Sequence, residues 1–185
     1  YDGGPTGNVA KAKELLAGKT VPITLAFPNT PRFQKSAAFL KGNLEQAGFQ
    51  VTLQSVDGDQ YYTFVGRKDN PYDLYFWGWG SDWPSGATVI PPLFDGRTIT
   101  ASGNQNVSFL DAPEVNAKID SIGKITDLTQ AAAAWGELDR YIMEQHAPVI
   151  PLTYEKWFSL VGTRVGGAFL SPTKGVPALV NLYVK

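Results

Sequence analysis

"VPITLAFPNTPRFQKSAAFLKGNLEQAGFQVTLQSV", Val21 to Val56, decides the fold. Val21 to Phe27 is rich in β-formers, and Pro22 is compatible with the first residues of a strand. Phe33, Ala37, Leu40, Leu44 and Ala47 then recur at steps of 4, 3, 4 and 3, which is one face of a helix. Thr30 can cap that helix, Pro31 suits its first turn and Gly48 suits its exit. Phe49 to Val56 alternates with period two and reads as a strand. Strand, helix, strand within one sheet is a right-handed parallel crossover, so the sequence predicts an α/β fold.

Working outward, Asn8 to Leu16 predicts a short helix with Ala12, Leu15 and Leu16 on its apolar side and Gly18 as a stop. Tyr1 to Thr6 reads as a loop-like opening, expected of a segment cut or processed from a longer protein. Gln60 to Gly66 suits a short helix. Tyr72 to Trp79, "YDLYFWGW", is nearly all apolar, which predicts a central strand covered on both faces. Along it Tyr75, Trp77 and Trp79 would point one way, and Leu74, Phe76 and Gly78 the other. Asp111 and Glu114 are spaced as a capping box for a helix carrying Val115, Ile119 and Ile122. Asp127 and Gln130 give a similar signal for a helix carrying Leu128, Ala131, Trp135, Leu138 and Ile142 and stopping before Pro148. Val149 to Tyr154 and Trp157 to Val161 are strand-like, with Pro151 making the first an edge or interrupted strand. The stretch from Gly162 to Lys185 is rich in Gly and Pro, and its final "LVNLYVK" suggests one more strand. No repeat or linker divides the sequence, so residues 1–185 are expected to form a single lobe.

Composition narrows the chemistry. Hydrophobic residues make up 43% and charged residues 18% of the 185, as in an ordinary globular chain. The net charge of -1, with no basic block, supplies no field for steering nucleic acid, so no nucleic-acid partner is expected. Cysteine is absent, which removes disulfides, thiol catalysis and cysteine-ligated metals. A single histidine, His146, is too few for a histidine-based zinc site, and it speaks against a Ser-His-Asp triad. It is expected to sit at a helix C-terminus as a dipole partner. No apolar run approaches the ~18 residues of a membrane span. Carboxylates are plentiful, but no spaced pair or nucleophile-base set is legible, so no catalytic residue, metal site or cofactor is assigned.

The candidate site follows the aromatic run. Gly80, Ser81 and Asp82 come next, and ligands of open α/β sheets gather outside the carboxyl ends of strands. An acid walled by indoles would lie in reduced dielectric and pair strongly with a ligand ammonium. Gly78 and Gly80 allow close approach of a ligand to the backbone, and Trp79 and Trp83 offer flat apolar faces. The alternative is an Asx-type turn at "DWPSG" with the tryptophans in the core, and for Trp77 the core reading is favoured. Asn29 and Thr30 follow the first strand at the same end of the sheet; they could bind a ligand or simply form a turn and cap. "DGD" at Asp57 to Asp59 is too short for a calcium loop, "GTRVGG" at Gly162 to Gly167 lacks the phosphate-loop lysine, and Asn106-Val107-Ser108 matches a glycosylation sequon.

In order along the chain come "AKELLAG", "LEQAGFQVTLQSVD", "YDLYFWGWGSDWPSG", "PPLFDG", "APEVNAKIDSI", "AAAAWGELDRYIMEQHAPVIPL" and "VGTRVGG". This series resembles the C-terminal lobe of the family 5 extracellular solute-binding proteins, the oligopeptide and dipeptide receptors of bacterial ABC importers. The most specific part is "YDLYFWGWGSDW", with Tyr-Asp, a hydrophobic strand, Gly-Trp, and an Asp three residues after that Trp. The resemblance implies a periplasmic-binding-protein-like (type II) lobe with a mixed sheet and helices on both faces. It also implies a missing N-terminal lobe, with roughly 162–185 returning toward it, and an ABC permease in the membrane as partner. The ligand would be a peptide or another small amine-bearing solute, held in an interlobe cleft by a protein outside the cytoplasmic membrane, lipid-anchored or periplasmic as is usual in that family. The aspartate matching Asp82 pairs with a peptide's α-ammonium in peptide-binding members, and backbone groups matching Trp79 to Ser81 pair with the peptide main chain. Other members bind nickel complexes, haem, oligosaccharides or opines, and Phe76 stands where some peptide binders place a basic residue.

Overall fold

Strand β1 (Val21–Pro28) and strand β2 (Phe49–Val56) pair in parallel over their full lengths, from Val21 opposite Phe49 to Pro28 opposite Val56. Helix α2 (Pro31–Ala47) connects them. The local signals work as their chemistry requires. The Thr30 hydroxyl accepts from the Phe33 N–H at 3.5 Å, Pro31 lies in the first turn, and Gly48 ends the helix at φ 111°. That φ favours a residue without a Cβ. The helix's apolar face meets the sheet: Phe33, Ala37, Leu40 and Leu44 pack with Leu25, Phe27 and Val51. Helix α3 (Gly58–Val65) covers the opposite face through Tyr61 and Val65, against Ala26 and Val56. Asp57, at the "DGD" turn, caps it by accepting from the Asp59 N–H at 2.9 Å. Helix α1 (Val9–Leu16) precedes this block, with Asn8 as its cap and Ala17, at φ 49°, as its exit.

This computed structural model describes residues 7–156, 158–172 and 175–185. The expected opening loop, Tyr1 to Thr6, lies outside the described residues, as does Trp157. The chain divides into two compact units. One runs to Trp77 and includes Thr100–Val107; the other comprises Gly78–Ile99 and Ser108–Lys185.

In the first unit the strand order is β2-β1-β3, where β3 is only Leu74–Tyr75. The aromatic run is therefore not the central strand that its composition predicts; β1 takes that place. The reason lies in competition for hydrogen bonds. Asp73 opens the pairing with its N–H donating to the Thr24 carbonyl at 3.1 Å and its carboxylate accepting from the Thr24 N–H at 2.7 Å. Two residues later the ladder ends, because the Phe76 carbonyl accepts from the buried Tyr61 hydroxyl at 2.8 Å. The alternation of side chains nevertheless holds over residues 74–77. Leu74 and Phe76 pack with the α2-side core, and Tyr75 and Trp77 with the α3-side core. Segment 100–107 is tied on by Asn104, whose amide donates to the carbonyls of Gly66 and Thr100, both at 2.8 Å.

The second unit is built from helices α4 (Ile90–Phe94), α5 (Pro113–Ile122) and α6 (Leu128–Gln145). Ile90, Phe94, Val115, Ile119, Ile122, Trp135, Leu138 and Ile142 form its core. Asp127 caps α6 as expected, accepting from the Gln130 N–H at 2.8 Å, whereas Leu128 is 86% exposed and joins no core. The capping box proposed at Asp111 is displaced by one residue. Ala112 is the N-cap and makes no side-chain bond, and Pro113 at the first turn removes a donor that would otherwise need a partner. His146 ends α6, with Nε2 3.1 Å from the Glu114 carboxylate but too poorly aligned for a hydrogen bond.

Two expected strands are absent: the described residues of 149–161 form none, and their large apolar side chains are exposed. Strand periodicity does not suffice where no neighbouring strand completes the ladder. The final strand is present as β5 (Tyr183–Val184), antiparallel to β4 (Val165–Gly166), the glycine-rich "GTRVGG" segment. Parallel and antiparallel pairing thus occupy separate sheets.

Candidate functional site

The stretch from Gly78 to Thr88 opens the second unit. It runs without regular structure through Ser81, bends over residues 82–85 and enters a short 3-10 turn at Gly86–Thr88. Ser85 caps that turn, its hydroxyl accepting from the Ala87 N–H at 3.2 Å. The Ser85 N–H donates to the Trp83 carbonyl at 2.7 Å, and the Thr88 N–H to the Ser85 carbonyl at 3.2 Å. These bonds hold the second half of the stretch, from Trp83 to Thr88.

Gly80 and Asp82 are exposed and Ser81 is half-buried. Trp79 is 39% exposed and Trp83 58%, so both indoles present apolar surface to their surroundings. The Trp79 N–H donates to the Thr88 carbonyl at 2.8 Å. That bond consumes the ring's one donor and leaves its faces as what it can offer a ligand. The low-dielectric pocket expected around Asp82 is not formed by this unit by itself: the residue lies at the surface.

Asn29 and Thr30 belong to the first unit, at the carboxyl end of β1. Asn29 accepts from the Gln34 side chain at 2.9 Å through its own side chain and donates its N–H to the Val56 carbonyl at 2.7 Å. Thr30 caps α2. Both are thus engaged in local turn and cap bonds. Trp77 is a partly buried member of the α3-side core, edge-on to Tyr62 at 5.2 Å between ring centres.

Two participants escaped the sequence reading. Asp73 clamps β3 to β1 through its side chain, and its signal was present in the Tyr-Asp pair ahead of an apolar run. Thr88 accepts the Trp79 indole, and no local pattern in "SGATV" announces it. Asn106 of the sequon is 1% exposed, an interior residue of the first unit. Among the described residues no cluster of three or more His, Asp or Glu side chains could hold a metal ion, and no helix is long and apolar enough to cross a membrane.

A parallel sheet with helices on both faces, followed by a helical unit, is the arrangement of one part of a type II periplasmic binding protein. The solved structure of clavulanic acid biosynthesis oligopeptide binding protein 2 superposes on 98% of the chain with a TM-score of 0.87 and 27% identity. The model of the bacterial extracellular solute-binding proteins, family 5 Middle, matches residues 1–101, and the chain belongs to that family. "Probable deoxycholate-binding periplasmic protein YgiS" of Escherichia coli (strain K12) is 24% identical over 96% of the chain. "Di/tripeptide-binding protein 4" of Pseudomonas aeruginosa (strain UCBPP-PA14) is 24% identical over 78%. The chain spans 34%, 33% and 26% of these three proteins respectively, about a third of their length or less. The family's description is of extracellular solute-binding proteins, which implies a location outside the cytoplasm.

Proposed function

We propose that the chain is one lobe of the substrate-binding component of an ABC importer, capturing peptides or another small amine-bearing solute. Residues 1–185 act as a single lobe, with 162–185 returning toward a second lobe and the ligand held between the two. An ABC permease receives the ligand, and a lipid anchor or the periplasm retains the protein outside the cytoplasmic membrane. The observation that carries this reading is the Gly78–Thr88 stretch, a loop that leaves two indoles and an acid exposed, with the acid between the indoles in sequence. Asp82 pairs with the ligand ammonium, Trp79 and Trp83 wall the slot, and the backbone at Gly80 and Ser81 meets the ligand main chain. The reduced dielectric that strengthens such a pair comes from closure of the second lobe. Two relatives named for peptide binding support the ligand class.

Titration calorimetry on the intact protein tests it. Trialanine should bind, N-acetyl-trialanine should bind far more weakly, and Asp82→Ala should cost at least ~2 kcal/mol, the loss of a partner to a desolvated charge. Equal affinity of Asp82→Ala for trialanine would remove Asp82 from the site. A second reading follows from the exposed indole faces, which could stack on a ligand without an ammonium, such as an oligosaccharide or the bile acid for which the Escherichia coli relative is named. A thermal-shift panel of trialanine, cellotriose and deoxycholate separates these, because a ligand that prefers the native state raises its melting temperature.

A further inference from the structure

Thr88 is buried, 3% exposed, and its polar groups are directed into the loop that carries the two indoles. Its carbonyl accepts the Trp79 indole N–H at 2.8 Å. Its hydroxyl donates to the Ser85 carbonyl at 3.0 Å, with the Trp83 carbonyl 3.4 Å away. Its N–H donates to the same Ser85 carbonyl at 3.2 Å, and the Ser85 N–H in turn donates to the Trp83 carbonyl at 2.7 Å. One residue thus restrains the side chain at position 79 and the backbone leading from position 83. The base of the loop is pressed against α6: a Cβ built on Gly86 would fall 2.6 Å from the Trp135 Cβ, and Trp135 is itself buried. With the base seated there, the Thr88 bonds govern how the exposed part of the loop is held.

A half-exposed indole ordinarily gives its N–H to water or to a ligand. Here that donor is spent inside the loop, which fixes the tilt of the ring. We infer that Thr88 is a positioning residue: it sets the plane of Trp79 and the span from Trp79 to Trp83, and so tunes ligand affinity without touching the ligand. This rests on the binding role proposed above for the two indoles. The carbonyl that accepts the indole is main chain and survives any substitution at 88, so the side chain acts through the turn: its hydroxyl ties residue 88 to the Ser85 carbonyl and thereby fixes where that carbonyl stands. Thr88→Val, nearly the same in shape, should loosen this tie, and Thr88→Ser should preserve it.

The test uses the intact protein, with trialanine as probe and 15N-labelled tryptophan to follow indole hydrogen exchange in the unliganded state. Thr88→Val should weaken trialanine binding about fivefold to tenfold, the scale of one lost internal hydrogen bond, and speed exchange at the Trp79 indole. Thr88→Ser should stay within about twofold of the unmutated protein on both measures. Should Thr88→Val fail to fold, Thr88→Ala removes the same hydroxyl with a smaller side chain, and it should weaken trialanine binding and speed Trp79 indole exchange relative to Thr88→Ser. Val and Ser variants that match in affinity and in indole exchange overturn the inference. Failure of the unmutated protein to bind trialanine strikes instead at the peptide reading, and the exchange comparison then decides the restraint alone: equal Trp79 exchange in both variants refutes it.

Discussion

The block from Val21 to Val56 and the stretch from Val149 to Val184 carry similar kinds of sequence and meet different fates. Each contains strand-like runs rich in apolar residues, and each contains a proline within such a run. In the first, Leu25, Ala26 and Val51 are almost wholly buried, because α2 and α3 arrive from either side of a paired ladder. In the second, Ile150 is 66% exposed, Tyr154 100% and Phe158 88%. A large aromatic side chain carries about 150–250 Å² of surface, so several hundred Å² of apolar area stands in solvent there. A strand-like run supplies apolar side chains that could be buried. It does not supply the neighbour that must be present before any face is buried.

Unfolding measurements sharpen that contrast most. Leu25→Ala should cost the 185-residue chain about 3 kcal/mol by urea denaturation, the usual penalty of a buried leucine cavity. Val180→Ala, at a site 92% exposed, should change it by less than about 0.5 kcal/mol. If 162–185 returns to a second lobe, the Val180 cost should rise to about 1 kcal/mol or more in the intact protein. Equal small costs in both would break the proposed return.

A smaller effect concerns the interior of the block. Tyr61 donates its hydroxyl to the Phe76 carbonyl at 2.8 Å, and Tyr61→Phe should cost about 1 kcal/mol near neutral pH. Burial raises the Tyr61 phenol pKa well above its ordinary value, and it raises that of Tyr75 as well. An unfolded phenol ionises near pH 10 while the folded one stays protonated. The stabilisation from each is therefore intact below about pH 10 and is lost as pH rises from there through the folded value. Stability followed across that range should fall more steeply for the unmutated chain than for Tyr61→Phe, which retains the share due to Tyr75. Parallel curves would show that the Tyr61 phenol is not shielded.

The smallest change is a gain. Ala17 ends α1 at φ 49°, a conformation that disfavours a Cβ. Ala17→Gly should raise stability by about 0.5 kcal/mol in the same denaturation assay, since removal of that strain outweighs the added freedom of the unfolded chain. A loss would mean that the helix exit relaxes in solution.

The parts legible in the sequence are those decided within a few residues. Thr30, Pro31 and Gly48 bound α2 by local hydrogen bonding and backbone preference alone, and Asp127 does the same for α6. The pattern at Phe33, Ala37, Leu40 and Leu44 gave the packing face because the sheet it covers is adjacent in the chain. What escaped depends on distant partners. The two-residue length of β3 is set by Tyr61 and Asp73, which divert or replace ladder bonds. The position of the α5 cap turns on which of two neighbouring residues, Asp111 or Ala112, the preceding chain delivers to the helix start. At the candidate site, the sequence marked the indoles and the acid but not Thr88, whose role arises from a fold-back of nine residues.

Asn106 has one more consequence. The acceptor amide of the Asn106-Val107-Ser108 triplet is sealed inside the first unit at 1% exposure. An oligosaccharyltransferase could reach it only on a nascent, still-open polypeptide. Passage through a eukaryotic secretory pathway would therefore turn this triplet into a clock. The proportion of product bearing a glycan, read from its mass, reports how often modification outruns closure of the interior.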